Sequence, residues 1–212
     1  MGGFAYSYGL ESAVKHGLLA SQQNTSDYLH TFAQQVISFD FPFLCSAYQL
    51  AADGLDKGLL AEMIYDYEAM LLNPLVQKAG LVLGKNWLRL MQQLSGASAE
   101  IKKLEEHLAA EQLKSHFPIV FGITAHLAKL ELHQALSLYF YMTLRDQTSA
   151  LIRLGAAGPM WAHAELSRLM DSFAERVNQY EAINYQEASK TAYLLEIAQL
   201  RHEHVYSKLF QN

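Results

Sequence analysis

Few side chains in this 212-residue chain can do chemistry, and their spacing decides most of what they can be. The nine histidines invite a metal site. His202 and His204 flank Glu203, but residues two apart on a helix point to different sides and would not chelate one ion together. His126 and His133, seven apart, do share a helical face, yet no carboxylate at matching spacing completes a set. His-Glu-x-x-His, Cys-x-x-Cys and the Glu-x-x-His pair of di-iron proteins are all missing. Structural or exposed histidines are therefore expected, with no resident metal. Cys45 sits in an apolar helical pattern with no His or Asp beside it, which fits a packed, inert thiol better than a nucleophile. Without Gly-x-Ser-x-Gly, Gly-x-Gly-x-x-Gly or a P-loop, nothing local supports a hydrolase, a dinucleotide enzyme or an NTPase.

Three charged positions stand apart. Arg145-Asp146 falls inside a mostly apolar helix, where it is costly to bury unless paired. The other reading is a window where that helix reaches the surface. Arg153 lies one turn before the same helix ends, and can be an ordinary positive charge at a helix C-terminus. Glu11 follows a glycine-rich aromatic opening and can be a plain solvated carboxylate.

The elements that must position these groups are helical. Glu131 to Leu154 carries no helix breaker before Gly155 and spans roughly 35 Å at 1.5 Å per residue. Its first half, with Tyr139-Phe140-Tyr141-Met142, has bulky residues on every face, which predicts a buried central post. Pro118 opens the preceding helix. Ser7 is a candidate cap for a first helix through Ala13, Val14 and Leu18, with Gly17 near its end. Asn24-Thr25-Ser26-Asp27 offers caps for a helix across Tyr28 to Ile37, and Phe41-Pro42 separates it from the next, Phe43 to Ala52. Asp56 opens another helix, and Pro74 starts a long one whose Gly80 and Gly84 share a face suited to a close helix crossing. Glu100 to Gln112 reads as a solvated helix. Trp161 to Tyr180 is amphipathic, and a last helix is expected from Gln186 to about Tyr206. The tail, Tyr206-Ser207-Lys208-Leu209-Phe210, carries two large apolar residues that it cannot bury alone. The expectation is an all-α, single-domain bundle over residues 1–212, with about nine or ten helices around a long central one.

Composition agrees. Hydrophobic residues make up 51% and charged residues 17%, enough for a substantial core. The net charge of −5 argues against a nucleic-acid binder. One cysteine suits a reducing compartment, and the longest apolar runs are about half the roughly 20 residues a membrane span needs. The expectation is a cytoplasmic protein with no membrane or nucleic-acid partner.

Four separated stretches resemble one family. Gly2-Gly3-Phe4-Ala5-Tyr6-Ser7-Tyr8-Gly9-Leu10-Glu11 is similar to the opening turn of the urease accessory protein UreF family. His116-Phe117-Pro118-Ile119-Val120-Phe121-Gly122 resembles its His-aromatic-Pro stretch, and Thr148 to Leu154 its segment ending in a basic residue and leucine. Tyr206 to Phe210 resembles its tail. Gly155-Ala156-Ala157-Gly158-Pro159 departs from the family's Pro-Leu-Gly-Gln, and the family's helical stretch before the Gly-Gly turn is expected to be lacking here. The resemblance implies a non-enzymatic, dimeric maturation factor that bridges UreD (also called UreH) and the GTPase UreG during nickel delivery to apo-urease. It implies no stably bound cofactor, nickel being handled by the complex. It also implies that Glu11 and Arg153, with Arg145 on the same helix, face the GTPase, and that Tyr206, Leu209 and Phe210 meet UreD/UreH. The competing expectation is a small all-α enzyme of the haem-oxygenase or thiaminase-II kind, using an aromatic-lined cavity with Cys45 or a histidine.

Overall fold

In the computed structural model, residues 9–190, 192–201 and 209–210 are described. The first helix, α1 (Leu10–Lys15), stops short of Leu18; Ser7, its candidate cap, lies outside the described residues. The helix begins after Gly9, whose φ of +88° suits glycine, and stops where Gly17 turns at φ +72°. Helix α2 (Gln22–Gln35) starts a turn earlier than expected, because Ser21 accepts the Asn24 amide at 3.1 Å.

No break follows at Phe41-Pro42. A π-helical turn, Val36–Asp40, joins α2 directly to α3 (Phe41–Ala52). Proline has no amide to give to the carbonyl four residues back. The π turn absorbs this: the Phe41 amide reaches Val36 O, and Ser38 O, the carbonyl that Pro42 leaves without a helical donor, accepts the Ser189 amide at 2.9 Å.

Helix α4 (Lys57–Met70) is capped by Asp56, and α5 (Pro74–Leu94) by Asn73. Then come α6 (Ser98–Ala110), α7 (Phe117–Leu127), α8 (Leu132–Arg153) and α9 (Pro159–Ala174). A reciprocal capping box between Glu131 and Gln134 fixes the start of α8. It therefore begins and ends within a residue of the sequence expectation. It is not enclosed all round, however: Leu138 and Tyr141 are exposed.

The helix wrapped on every side is α7, buried continuously from Phe117 to Ala125. It rides on α3 at Gly122, where a Cβ would fall 2.4 Å from Leu44 O. On α5, Gly84 lets the chain before α7 come close, since a Cβ there would fall 1.9 Å from Ser115 O. Gly80 has open space around it and takes no part. Trp87 stacks on Phe121 with ring centroids 4.7 Å apart and donates to Thr124 Oγ1 at 2.7 Å, tying α5 to α7 through the core.

The last long helix expected from Gln186 is interrupted. After 3-10 turns at Val177–Tyr180 and Tyr185–Glu187, the chain runs as a strap along the π turn before α10 (Tyr193–Leu200). Ser189 O accepts from Ser38 Oγ at 3.1 Å, and the Ala192 amide donates to Gln35 Oε1 at 3.1 Å. Backbone groups used in this way cannot continue a helix. No strand occurs among the described residues, and no helix is long and apolar enough to cross a membrane.

Candidate functional site

The two ends of the chain meet. Gly9 brings α1 against α10 so closely that a Cβ would fall 2.7 Å from the Gln199 amide nitrogen. One residue past Leu10, Glu11 is buried at 1% exposure, not solvated. Its Oε1 accepts the Leu209 amide at 2.7 Å, its Oε2 accepts the Phe210 amide at 3.1 Å, and Lys15 Nζ lies 3.1 Å away. Burial pushes the Glu11 carboxyl up, but the Leu209 amide, the Lys15 ammonium and the Phe210 amide outweigh it and hold the pKa below the ordinary glutamate value.

Arg153, at the end of α8, sets its guanidinium 4.5 Å over the Phe210 ring. Phe210 is 3% exposed, so this tail residue does find cover within its own chain, under Arg153 and beside Glu11. Leu209 stays half exposed. Glu11, Arg153, Leu209 and Phe210 thus form one cluster, although the sequence resemblance divides them between two partners. Tyr206 lies outside the described residues.

Arg145 is apart from this cluster, eight residues back along α8, or about 12 Å of helix axis. Its guanidinium lies against Asp146 Oδ1 at 2.8 Å and 6.0 Å from the Tyr141 ring centroid. The two readings of Arg145-Asp146 each hold in part: the residues pair with each other, and Arg145 reaches the surface at 37% side-chain exposure while Asp146 stays at 17%.

A feature the sequence did not bring forward lies on α10. Tyr193, Ile197 and Leu200 of α10 are all exposed, and their spacing of four and three residues puts them in one stripe. That spacing was visible in the sequence, but a helix drawn straight from Gln186 gave no reason to expect its apolar face uncovered.

The remaining candidates have plain surroundings. Cys45 is buried, and its Sγ lies 3.3 Å from Tyr180 O. Burial, with the Glu181 charge, pushes its thiol up to about 12, so it is the inert thiol that its apolar setting implies. His126 packs edge-on to Tyr48 with centroids 5.1 Å apart. His202 and His204 lie outside the described residues. Among the described residues, no three His, Cys, Asp or Glu side chains gather as an ion would require. An aromatic-lined cavity does exist, between the π turn, α7, α8 and the strap, but among the described residues neither Cys45 nor a histidine lines it.

The family model for UreF matches residues 19–170. Curated relatives extend the likeness over the whole chain. Urease accessory protein F of Oryza sativa subsp. indica is 28% identical over 99% of this chain and 79% of its own length. Urease accessory protein UreF of Paenarthrobacter aurescens is 27% identical over 100% of this chain and 92% of its own. The UreF of Sporosarcina pasteurii is 21% identical over 95% and 99% respectively. These relatives are named accessory proteins, not enzymes, and the all-α bundle and the clasp of its two ends described above belong to a member of the UreF family of urease accessory proteins.

Proposed function

We propose that this chain works in the cytoplasm as a homodimeric scaffold that links UreD/UreH to the GTPase UreG and regulates that GTPase while nickel is delivered to apo-urease. Nickel is handled by the assembled complex, and this chain keeps no cofactor of its own. The observation that carries the reading is the clasp: Glu11 and Arg153, the pair tied by resemblance to the GTPase, hold Leu209 and Phe210, which are tied by resemblance to UreD/UreH. Whatever engages the tail is thereby felt at the carboxylate and the guanidinium. The uncovered Tyr193-Ile197-Leu200 stripe of α10 is further apolar surface on offer to UreD/UreH. Arg145, whose charge is already partnered by Asp146, is the peripheral member of the GTPase face.

The test is co-purification of the full chain with UreD/UreH and UreG, beside urease activation in cells. Glu11→Lys and Arg153→Glu are expected to abolish activation and to lose UreG from the complex. Unchanged nickel-urease activity on deletion of the gene overturns the proposal, as does full UreG recovery with both reversals.

A further inference from the structure

A cavity of about 110 Å³ lies under the strap, walled mainly by apolar side chains. Its notable polar group is Asp40, the last residue of the π turn. Asp40 Oδ1 accepts from Tyr67 OH at 3.2 Å and Oδ2 from Tyr139 OH at 2.9 Å. A carboxylate has about four acceptor positions, so both oxygens keep capacity. Among the described residues no lysine, arginine or histidine forms an ion pair with it. Each tyrosine is also half of a stacked aromatic pair on the cavity wall: Tyr67 on Phe39 with centroids 4.8 Å apart, Tyr139 on Phe117 at 5.2 Å.

We propose that this cavity is a binding site for a small organic ammonium ion, with Asp40 taking the charged head and the aromatic walls taking a body of about one ring. A carboxylate between aromatic faces is complementary to an alkylammonium, which gains a charge-assisted hydrogen bond and cation–π attraction at once. A neutral apolar occupant would leave the carboxylate desolvated and short of partners. A small anion would meet Asp40, Asp146 and Glu196 on the same wall. A metal ion needs several ligands gathered at one point, and among the described residues no three His, Cys, Asp or Glu side chains gather so. At about 110 Å³ the cavity is below the roughly 150 Å³ that holds benzene, so one ring is the upper bound for the body and the walls must give slightly to take it.

The chain already uses part of this chemistry. Lys190 of the strap sets its ammonium 5.2 Å from the Phe39 ring centroid and gives two of its three donors to Glu196 and to Met70 O; it forms no ion pair with Asp40, whose charge it favours from a longer distance. A bound ammonium competes with Lys190 for the aromatic face.

The probe is benzylammonium, titrated into the full chain by calorimetry and by ligand-observed NMR, with toluene and benzoate as controls. Binding of benzylammonium at pH 7.5 in preference to both controls is expected. Asp40→Asn should weaken it at least tenfold, the scale of one hydrogen bond to a charged group. Lys190→Ala should keep or tighten it, whereas a merely structural strap would give only loss.

Burial pushes Asp40 up to about 6, against the opposing pull of Tyr139, Tyr67 and Lys190, so it must be ionised to bind and affinity should fall about tenfold between pH 7.5 and 5. The other titratable groups around it are Asp146 and Glu196 on the wall and His116 behind the Tyr67 ring. Tyr139→Phe removes one donor to the carboxylate while leaving the acid in place, and should move that pH midpoint upward. This variant keeps the test decisive should Asp40→Asn not fold. The proposal is overturned if toluene or benzoate binds as well as benzylammonium. It is equally overturned if benzylammonium fails to bind at any pH, if folded Asp40→Asn binds undiminished, or if the Tyr139→Phe midpoint does not move.

Discussion

Replacing Glu11 by alanine tests the clasp directly. Two tail amides lose the carboxylate they share as acceptor, and Lys15 loses a buried counter-charge. A hydrogen bond to a charged group is worth about 1.5–3 kcal/mol, and the two here share one carboxylate, so we take about 3 kcal/mol together. That is a shift of roughly a hundredfold in the equilibrium between docked and released tail. The loss should not appear as global unfolding, because released amides at a chain end find water at once. The readout is therefore hydrogen exchange at the Leu209 and Phe210 amides, with the melting temperature as control. Exchange at both should accelerate by roughly a hundredfold in Glu11→Ala, with little change in the α3–α7 core. Glu11→Gln keeps one acceptor and turns a donor toward the second amide, so it should recover less than half of the effect. The pH dependence has a definite sign: the native pKa is held below the ordinary value of 4.5, so docking is complete above that value and is lost as pH falls through the native pKa. Unchanged exchange at Leu209 and Phe210 in Glu11→Ala would refute the reasoning.

Two further predictions concern the frame. Gly84→Ala drives a Cβ into the Ser115 carbonyl, a backbone atom that cannot swing away, and should cost about 3 kcal/mol or more by urea unfolding, whereas Gly80→Ala should be neutral or slightly stabilising. His116 is wholly buried, has neither ring nitrogen hydrogen-bonded, and is held to about 4 by burial, with the Glu68 charge opposing and Lys114 assisting. Its folded pKa lies below the unfolded 6.5, so the unfolded chain binds the proton first and stability declines from pH 6.5 down to about 4, by about 3 kcal/mol in all. His116→Phe should flatten that part of the profile; an unaltered slope would assign the acid loss to other groups.

What the sequence made legible was local. The extent of α8 was written in the run without a breaker from Glu131 to Gly155, the opening of α4 in Asp56, and the inertness of Cys45 in its apolar neighbours. What it concealed was satisfied at long range. Pro42 announces a carbonyl without a donor, and the reasonable inference is a helix break. The actual solution is a π turn whose Ser38 carbonyl takes an amide from Ser189, about 150 residues away. The same bond explains the second error, since a strap that gives its backbone to the π turn cannot be the first turn of a helix from Gln186. Glu11 follows the same logic. A carboxylate after a glycine-aromatic turn has every local reason to be solvated, and only the return of the tail makes its burial tolerable, by giving each oxygen an amide. The π turn and the Glu11 clasp are thus two anchor points of one C-terminal segment, and Lys190, Leu195, Glu196 and Gln199 between them line the Asp40 cavity. Cutting the first anchor should therefore expose the cavity while Glu11 still holds the tail, whereas cutting the second should free the tail and leave the cavity closed. Ser189→Pro, which removes the amide given to Ser38, and Glu11→Ala separate these two effects. Their independence in hydrogen exchange at Ala192 and at Phe210 is what two anchors require.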